Sequence, residues 1–248
     1  MARPASRELA GFYPMPREQT RRIGLMLRSA PSLPGQYSRP SLLDPCAADG
    51  EAVTDLAASL GGLHAVDLFS CELEGVRFEE LRRRLAKDGA AQRRAMHGDA
   101  FALHFGGRGA DLLFLNPPYD VDDEHGRLEE RFLARFTRAL CPRGVLAFVA
   151  PYYALAASAG TLAREYTNLT CYRFSGADFA SFRQVVVFGV RAQVPYREPA
   201  ADTVALIERW ATRPEELPEL PAIARDHDRY LVPASTETGF KEWRMQRA

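Results

Sequence analysis

From about Ser41 to Arg191 short apolar runs alternate with amphipathic segments. The pattern predicts strands joined by crossover helices, as in a mostly parallel α/β sheet. Apolar runs place strands at residues 41–45, 66–73, 94–98, 111–116, 145–150, 169–174 and 184–191. Helical spacing fills the gaps at 51–60, 76–87, 128–140 and 155–166, with Gly61-Gly62 closing the first helix and Pro142 with Gly144 closing the third. A leading helix is expected over roughly residues 17–29, ahead of the sheet.

After Pro195 the texture changes: one helix at 202–212, then Pro214, Pro218 and Pro221, then a polar, weakly patterned stretch. The expected division is a main domain over 1–195, led by a helical segment over 1–40, and a C-terminal appendage over 196–248. So short an appendage is too small to hold a large core by itself. The fold class expected is α/β: a Rossmann-like, seven-stranded, mostly parallel sheet with helices on both faces, plus that appendage.

Composition narrows the function classes. Of 248 residues, 46% are hydrophobic and 26% charged, which excludes disordered, fibrous and disulfide-scaffold classes. Lys plus Arg equals Asp plus Glu at 32 each, so any contact with nucleic acid must come from local patches. Lys87 and Lys241 are the only lysines. Arginine suits phosphates and bases, but a coding bias toward G and C produces the same excess. Cys46, Cys71, Cys141 and Cys171 form no CxxC pair and have no His at ligand spacing, so neither a metal nor a disulfide framework is expected, and a reduced, cytoplasmic compartment fits. The uncharged stretch over 144–163 is broken by Pro151 and two tyrosines, and reads as a buried strand, loop and helix, with no membrane partner expected.

Candidate chemistry gathers at the carboxyl ends of the predicted strands, where open parallel sheets bind ligands. Asp44-Pro45-Cys46-Ala47-Ala48-Asp49-Gly50 ends the first strand with small residues that let a ligand approach the backbone. A tight turn with Asp49 capping the next helix explains it equally well. Glu72, at the end of the second strand, can accept hydrogen bonds from both ribose hydroxyls of a nucleoside-containing cofactor, whereas Glu74 suits a helix cap. Gly98-Asp99-Ala100-Phe101 repeats the theme, Asp99 as acceptor for an adenine amine and Phe101 as an apolar wall. After the fourth strand stands Asn116-Pro117-Pro118-Tyr119. The prolines fix an extended turn in which the Asn116 side-chain oxygen and the Pro117 carbonyl can converge on one planar amine, while Tyr119 stacks on its ring. A purely structural turn is the alternative.

At these residues the sequence resembles the S-adenosylmethionine-dependent amino methyltransferases of the NPPY type, in particular the gamma-type N6-adenine DNA methyltransferases, over about residues 11–191. Phe12-Tyr13-Pro14-Met15-Pro16 is similar to that family's leading motif. The continuation Tyr119-Asp120-Val121-Asp122-Asp123 and the later Phe179-Ala180-Ser181-Phe182-Arg183-Gln184 resemble an uncharacterised bacterial and phage-borne group. The resemblance implies that Phe12, Tyr13, Pro14 and Pro16 help form the pocket of S-adenosylmethionine. Asp44, Cys46, Ala48 and Gly50 would surround its methionine part, Glu72 its ribose, and Asp99 with Phe101 its adenine. Asn116, Pro117, Pro118 and Tyr119 would hold the target amine and base, with Phe179 or Phe182 as second aromatic face. One departure stands out: the family loop usually has Gly where Ala48 stands.

The implied activity is methyl transfer to the N6 amine of adenine in DNA, with no metal. Little of the chain is left for reading a sequence, so the expectation is either relaxed sequence preference or recognition supplied by a protein partner or a further C-terminal region. Methylation of an RNA adenine or a protein glutamine amide, and a catalytically silent scaffold of the same fold, are the competing expectations.

Overall fold

The computed structural model describes residues 15–31, 39–122, 124–234 and 240–246. In chain order the helices are α1 (Arg17–Leu25), α2 (Glu51–Ser59), α3 (Gly75–Arg84), α4 (Gly89–Arg93), α5 (Leu128–Thr137), α6 (Leu155–Glu165), α7 (Ala177–Phe182) and α8 (Ala201–Thr212). The strands are β1 (Leu27–Ser29), β2 (Ser41–Asp44), β3 (Asp67–Glu72), β4 (Ala95–His97), β5 (Leu103–Phe105), β6 (Ala110–Leu115), β7 (Val121–Asp122), β8 (Gly126–Arg127), β9 (Leu140–Pro151), β10 (Tyr166–Arg173), β11 (Gln184–Arg191), β12 (Tyr230–Val232) and β13 (Trp243–Met245).

Seven strands form the central sheet in the order β10-β11-β9-β6-β2-β3-β4. The β4-β3-β2-β6-β9 run is parallel, and β11 is antiparallel to both its neighbours. Period-two alternation explains why these strands are buried on both sides. Leu42, Leu112, Phe114, Val145, Ala147 and Val149 pack on one face with Ile23 of α1, Leu56 of α2 and Leu81 of α3. Leu43, Leu113, Leu115, Leu146, Phe148 and Ala150 pack on the other with Phe132 of α5, Leu162 of α6 and Ile207 of α8. The expected Rossmann-like sheet with helices on both faces is what the chain forms.

The differences lie at element ends and in short elements that the pattern did not predict, among them α4, α7, β5, β7 and β8. The leading helix stops at Leu25 instead of running to residue 29, because Leu27–Ser29 pairs in parallel with Tyr230–Val232. The strand expected over 145–150 extends to Leu140–Pro151, since its early residues pair with Ala110 and its last with Gln184. The segment after residue 196, expected as an appendage, spreads over the main domain: Ile207 enters the core, β12 pairs with β1, and β13 pairs with β5. No helix among the described residues is long and apolar enough to cross a membrane.

Candidate active site

The sheet order reverses between β2 and β6: from β2 the chain moves outward through β3 and β4, then returns to lay β6 on its other side. Such a switch point opens a crevice beyond the strand carboxyl ends. Here it holds a cavity of ≈ 280 Å³ lined by Asp44, Cys46, Ala48, Glu72, Asp99, Asn116, Pro117 and Pro118, among others. Eight of the residues singled out in the sequence therefore share one hollow, supplied by the ends of four neighbouring strands.

The loop after β2 is tied down by main-chain donors. Cys46 N donates to Asp44 Oδ1 at 2.9 Å, Ala47 N to the Cys71 carbonyl at 2.9 Å, and Ala48 N to Glu72 Oε2 at 3.0 Å. The tight course requires left-handed backbone at Ala48 (φ 50°) and at Gly50 (φ 82°). Gly50 does not line the cavity; a Cβ there would stand 2.7 Å from Leu81 Cδ1, so the residue lets the loop rest on α3. Ala48 adopts its conformation against the preference of an L-residue, at a cost of about 1–2 kcal/mol.

Burial sets the charge state of Asp44. It is 1% exposed, and desolvation, with the nearby Glu72 charge adding to it, pushes its pKa up to about 7 despite the Cys46 amide bond. The same desolvation raises the Cys46 thiol, which is therefore no nucleophile at neutral pH. Glu72 accepts from Glu74 N at 2.9 Å and Arg77 Nε at 3.0 Å on Oε1, opposite the Ala48 contact on Oε2. A carboxylate offers about four acceptor positions. Hydroxyls of a ligand would therefore share Glu72 with Arg77 or displace it. Glu74 caps α3 through Val76 N and Arg77 N, the role expected of it.

Six carboxylates (Asp44, Asp49, Glu51, Glu72, Glu80 and Asp99) and the single Arg77 guanidinium line the hollow, whose apolar walls include Met15, Phe114 and Phe132. Acids set against apolar walls suit a ligand that carries positive charge and hydroxyls on a flat, apolar body, as a nucleoside with cationic groups does. Among the described residues no group of His, Cys, Asp or Glu is arranged to hold a metal ion.

On the β6 side, Tyr119 Oη donates to Asn116 Oδ1 at 2.6 Å, and Gln184 Nε2 donates to Tyr119 Oη at 2.7 Å. Gln184 opens β11, directly after α7. Phe179 on α7 lies 6.2 Å from Tyr152, ring to ring, with the Arg173 guanidinium 5.5 Å over its face. Phe182, half-buried, ends that helix. Phe101 is set back from the cavity, edge-on to Phe132 at 4.6 Å, so Phe132 supplies the wall expected of Phe101. Pro16 precedes α1, its carbonyl accepting from Gln19 N and Thr20 N, while its neighbour Met15 faces the cavity. Phe12, Tyr13 and Pro14 lie outside the described residues.

Sequence reasoning missed Met15, Arg77, Phe114, Phe132 and Gln184. Arg77 follows Glu72 by five residues on the next helix, a spacing that was available as a signal. Met15 and Gln184 stand inside motifs quoted from the sequence but were given no role there, and Phe114 and Phe132 read as core.

Residues 6–235 match the Uncharacterised methyltransferase family (DUF6094). No curated protein matches the chain. Solved structures with a similar course include a protein of Listeria monocytogenes assigned as a class I S-adenosylmethionine-dependent methyltransferase, at TM-score 0.55 and 16% identity, covering 83% of this chain and 76% of that one. A protein of Vibrio vulnificus assigned as the modification subunit of a type I restriction enzyme gives TM-score 0.57 at 15% identity, over 82% of this chain and 54% of that one. The methyltransferase subunit of a type I restriction-modification system from Streptococcus thermophilus gives 0.53 at 11%, over 83% and 55%. The chain thus spans about half the length of these two subunits. At such identities the likeness is one of fold.

Proposed function

The chain belongs to this uncharacterised methyltransferase family, and from that premise we propose that it transfers a methyl group from S-adenosylmethionine to the N6 amine of adenine in DNA. The observation that carries the proposal is the position of Asn116, Pro117 and Pro118, at the end of β6 and lining the acid-rich cavity, with Tyr119 behind them hydrogen-bonded to Asn116.

S-adenosylmethionine supplies a methyl already activated on a sulfonium, so the protein has to align, desolvate and hold the acceptor. When the cofactor is bound, Asp44 would face the ammonium end of its methionine part, Glu72 would take the ribose hydroxyls and Asp99 the adenine amine. Asn116 Oδ1 and the Pro117 carbonyl accept the two hydrogens of the target amine. This draws electron density toward its nitrogen, so no strong general base is needed. The Tyr119 ring stacks on the base, with Phe179 or Phe182 on the opposite side, and offsets part of the few kcal/mol required to take a base out of a duplex.

Target recognition comes from a partner. The fold likeness to subunits of type I restriction-modification systems supports this division of labour, as does the dispersal of residues 196–234 and 240–246 over the main domain instead of into a separate reading module. Incubation with methyl-labelled cofactor and a panel of DNA, RNA and lysate protein tests the proposal. Label recovered as N6-methyladenine from digested DNA is the expected result. Label in protein or RNA alone overturns the DNA assignment.

A further inference from the structure

Arg183 ends α7 with its backbone in the left-handed region, at φ 57° and ψ 30°. A side chain in that region strains the backbone, and glycine is the usual residue at such a helix end. Bonds on either side impose the conformation: Arg183 N donates to the Phe179 carbonyl at 2.8 Å, and the Arg183 carbonyl accepts from Tyr152 N at 3.1 Å. An exposed arginine therefore stands where glycine would fit without strain. Strain of this kind points to a role for the side chain only where its surroundings supply one. Arg143, exposed at φ 67° near the start of β9, carries the same strain at the end of the sheet away from the cavity.

The surroundings of Arg183 do supply a role. It precedes Gln184, which pairs with Pro151 at the end of β9 and donates to Tyr119 Oη at 2.7 Å. Its carbonyl holds Tyr152, whose ring lies 5.5 Å from that of Tyr153, a residue 51% exposed. Arg183 thus stands on the rim between the tyrosine proposed to stack on the target base and a pair of further tyrosines. Two neighbouring arginines are held by acids. Arg127, 5.3 Å over the Tyr153 ring, pairs with Glu129 at 2.7 Å, and Arg173, 5.5 Å over the Phe179 ring, pairs with Glu219 at 2.9 Å. Asp178, the acid on α7 itself, accepts from Gln19 Nε2 at 2.7 Å. Arg183 has no ion pair or side-chain hydrogen bond among the described residues, so its charge is left for a ligand.

We propose that Arg183 binds a backbone phosphate of the DNA strand beside the target base. A guanidinium is charged at every working pH, and its planar fork of donors matches the oxygens of a phosphate. A base drawn out of the duplex onto Tyr119 brings its own phosphates to this rim. The inference rests on the proposed adenine transfer and adds a contact to the strand that the acid-lined cavity does not supply.

The salt dependence of binding to a fluorescent, adenine-bearing DNA duplex, with S-adenosylhomocysteine present, tests it. Each phosphate contact releases counterions, so its loss lowers the slope of log affinity against log salt by about 0.9. Arg183→Gly is expected to show that drop and to weaken binding roughly 5- to 10-fold, while cofactor affinity by calorimetry stays at the parent value. Glycine suits the left-handed position, so the fold is not at risk. Arg183→Lys keeps the charge and the parent slope. Arg143→Gly removes a cation and a strained residue of the same kind at the far end of the sheet, and leaves the slope unchanged. A parent slope in Arg183→Gly overturns the contact, as does an equal drop in Arg143→Gly, a matching loss of cofactor affinity, or a Lys variant as impaired as the Gly variant. Duplex that binds with the expected slopes but takes no methyl group sinks the proposed function and leaves the contact standing. Methylated DNA with a parent slope in Arg183→Gly sinks the contact alone, and parent protein that binds no duplex overturns the contact too.

Discussion

The side of the cavity built by β2, β3 and β4 is fastened by main-chain donors: Cys46 N on Asp44, Ala48 N and Glu74 N on Glu72, Phe101 N on Asp99. On the side built by β6 and β11 side chains are joined to side chains, Gln184 to Tyr119 to Asn116. Main-chain donors are fixed by the fold and hold carboxylates in place before any ligand arrives. Hydroxyls and amides can rotate and exchange partners. A cofactor that is the same in every turnover suits the first kind of wall, and a target that must come in, react and leave suits the second.

Substitutions should separate the two sides. The largest effect is expected for Asn116→Ala, which removes one acceptor of the amine: transfer falls about 100- to 1,000-fold while cofactor affinity by calorimetry stays unchanged. An Asn116→Ala enzyme with normal turnover breaks the comparison outright. Glu72→Ala acts on the other side. It removes the acceptor proposed for ribose, together with one partner each of Ala48 N and Arg77, so cofactor affinity drops roughly 100-fold with a much smaller change in turnover at saturation. A loss confined to turnover would place Glu72 on the wrong side.

Acidity provides a milder probe. The Asp44 pKa, about 7 in the fold against an ordinary 3.8, means that the folded protein holds a proton there which the unfolded chain releases. That contribution is fully present below about pH 3.8 and is lost as pH rises toward 7; above 7 it is level. A cationic ligand favours the ionised carboxylate, so cofactor affinity climbs about 10-fold per pH unit below 7 and then flattens, with up to one proton released on binding. Calorimetry in buffers of different ionisation enthalpy measures that proton, and Asp44→Asn abolishes the pH dependence. Binding that is flat from pH 5 to pH 8 removes Asp44 from the cationic end. The smallest expected effect is that of Ala48→Gly. Relief of the left-handed strain, less the added freedom of glycine in the unfolded chain, raises stability by about 0.5–1 kcal/mol and leaves the position of Glu72 unchanged. A lower melting temperature would show that the Ala48 methyl contributes packing that outweighs the strain.

The two sides also differed in how far the sequence revealed them. Carboxylates at strand ends are visible in a sequence because they interrupt an apolar run; Glu72 and Asp99 were singled out in this way, and Asp44 through its loop of small residues and the family resemblance. Phe114 and Phe132 were not, since an apolar wall residue is indistinguishable from core until the hollow beside it is known. Gln184 was quoted as part of a motif without a role. Its contact with Tyr119 spans 65 residues and depends on β11 lying antiparallel beside β9, which no local pattern states. The same reason governs the fold. The long apolar strands β6, β9 and β11 were legible from composition, whereas β1, β5, β12 and β13, three residues each, exist only through partners far along the chain. Residues 240–246 show this most clearly: Trp243 stacks with Phe240, donates to the Arg94 carbonyl at 2.8 Å, and closes an aromatic cluster with Phe69 that a weakly patterned segment gave no hint of.

The central claim is that two oxygens, from the Asn116 side chain and the Pro117 main chain, grip a single amine. A crystal structure of the protein with S-adenosylhomocysteine and an adenine-bearing oligonucleotide tests it most directly. The expected result places the adenine N6 atom within about 2.7–3.2 Å of both oxygens. An N6 atom held by other groups, or the two oxygens facing apart with the nucleotide bound, would contradict the account.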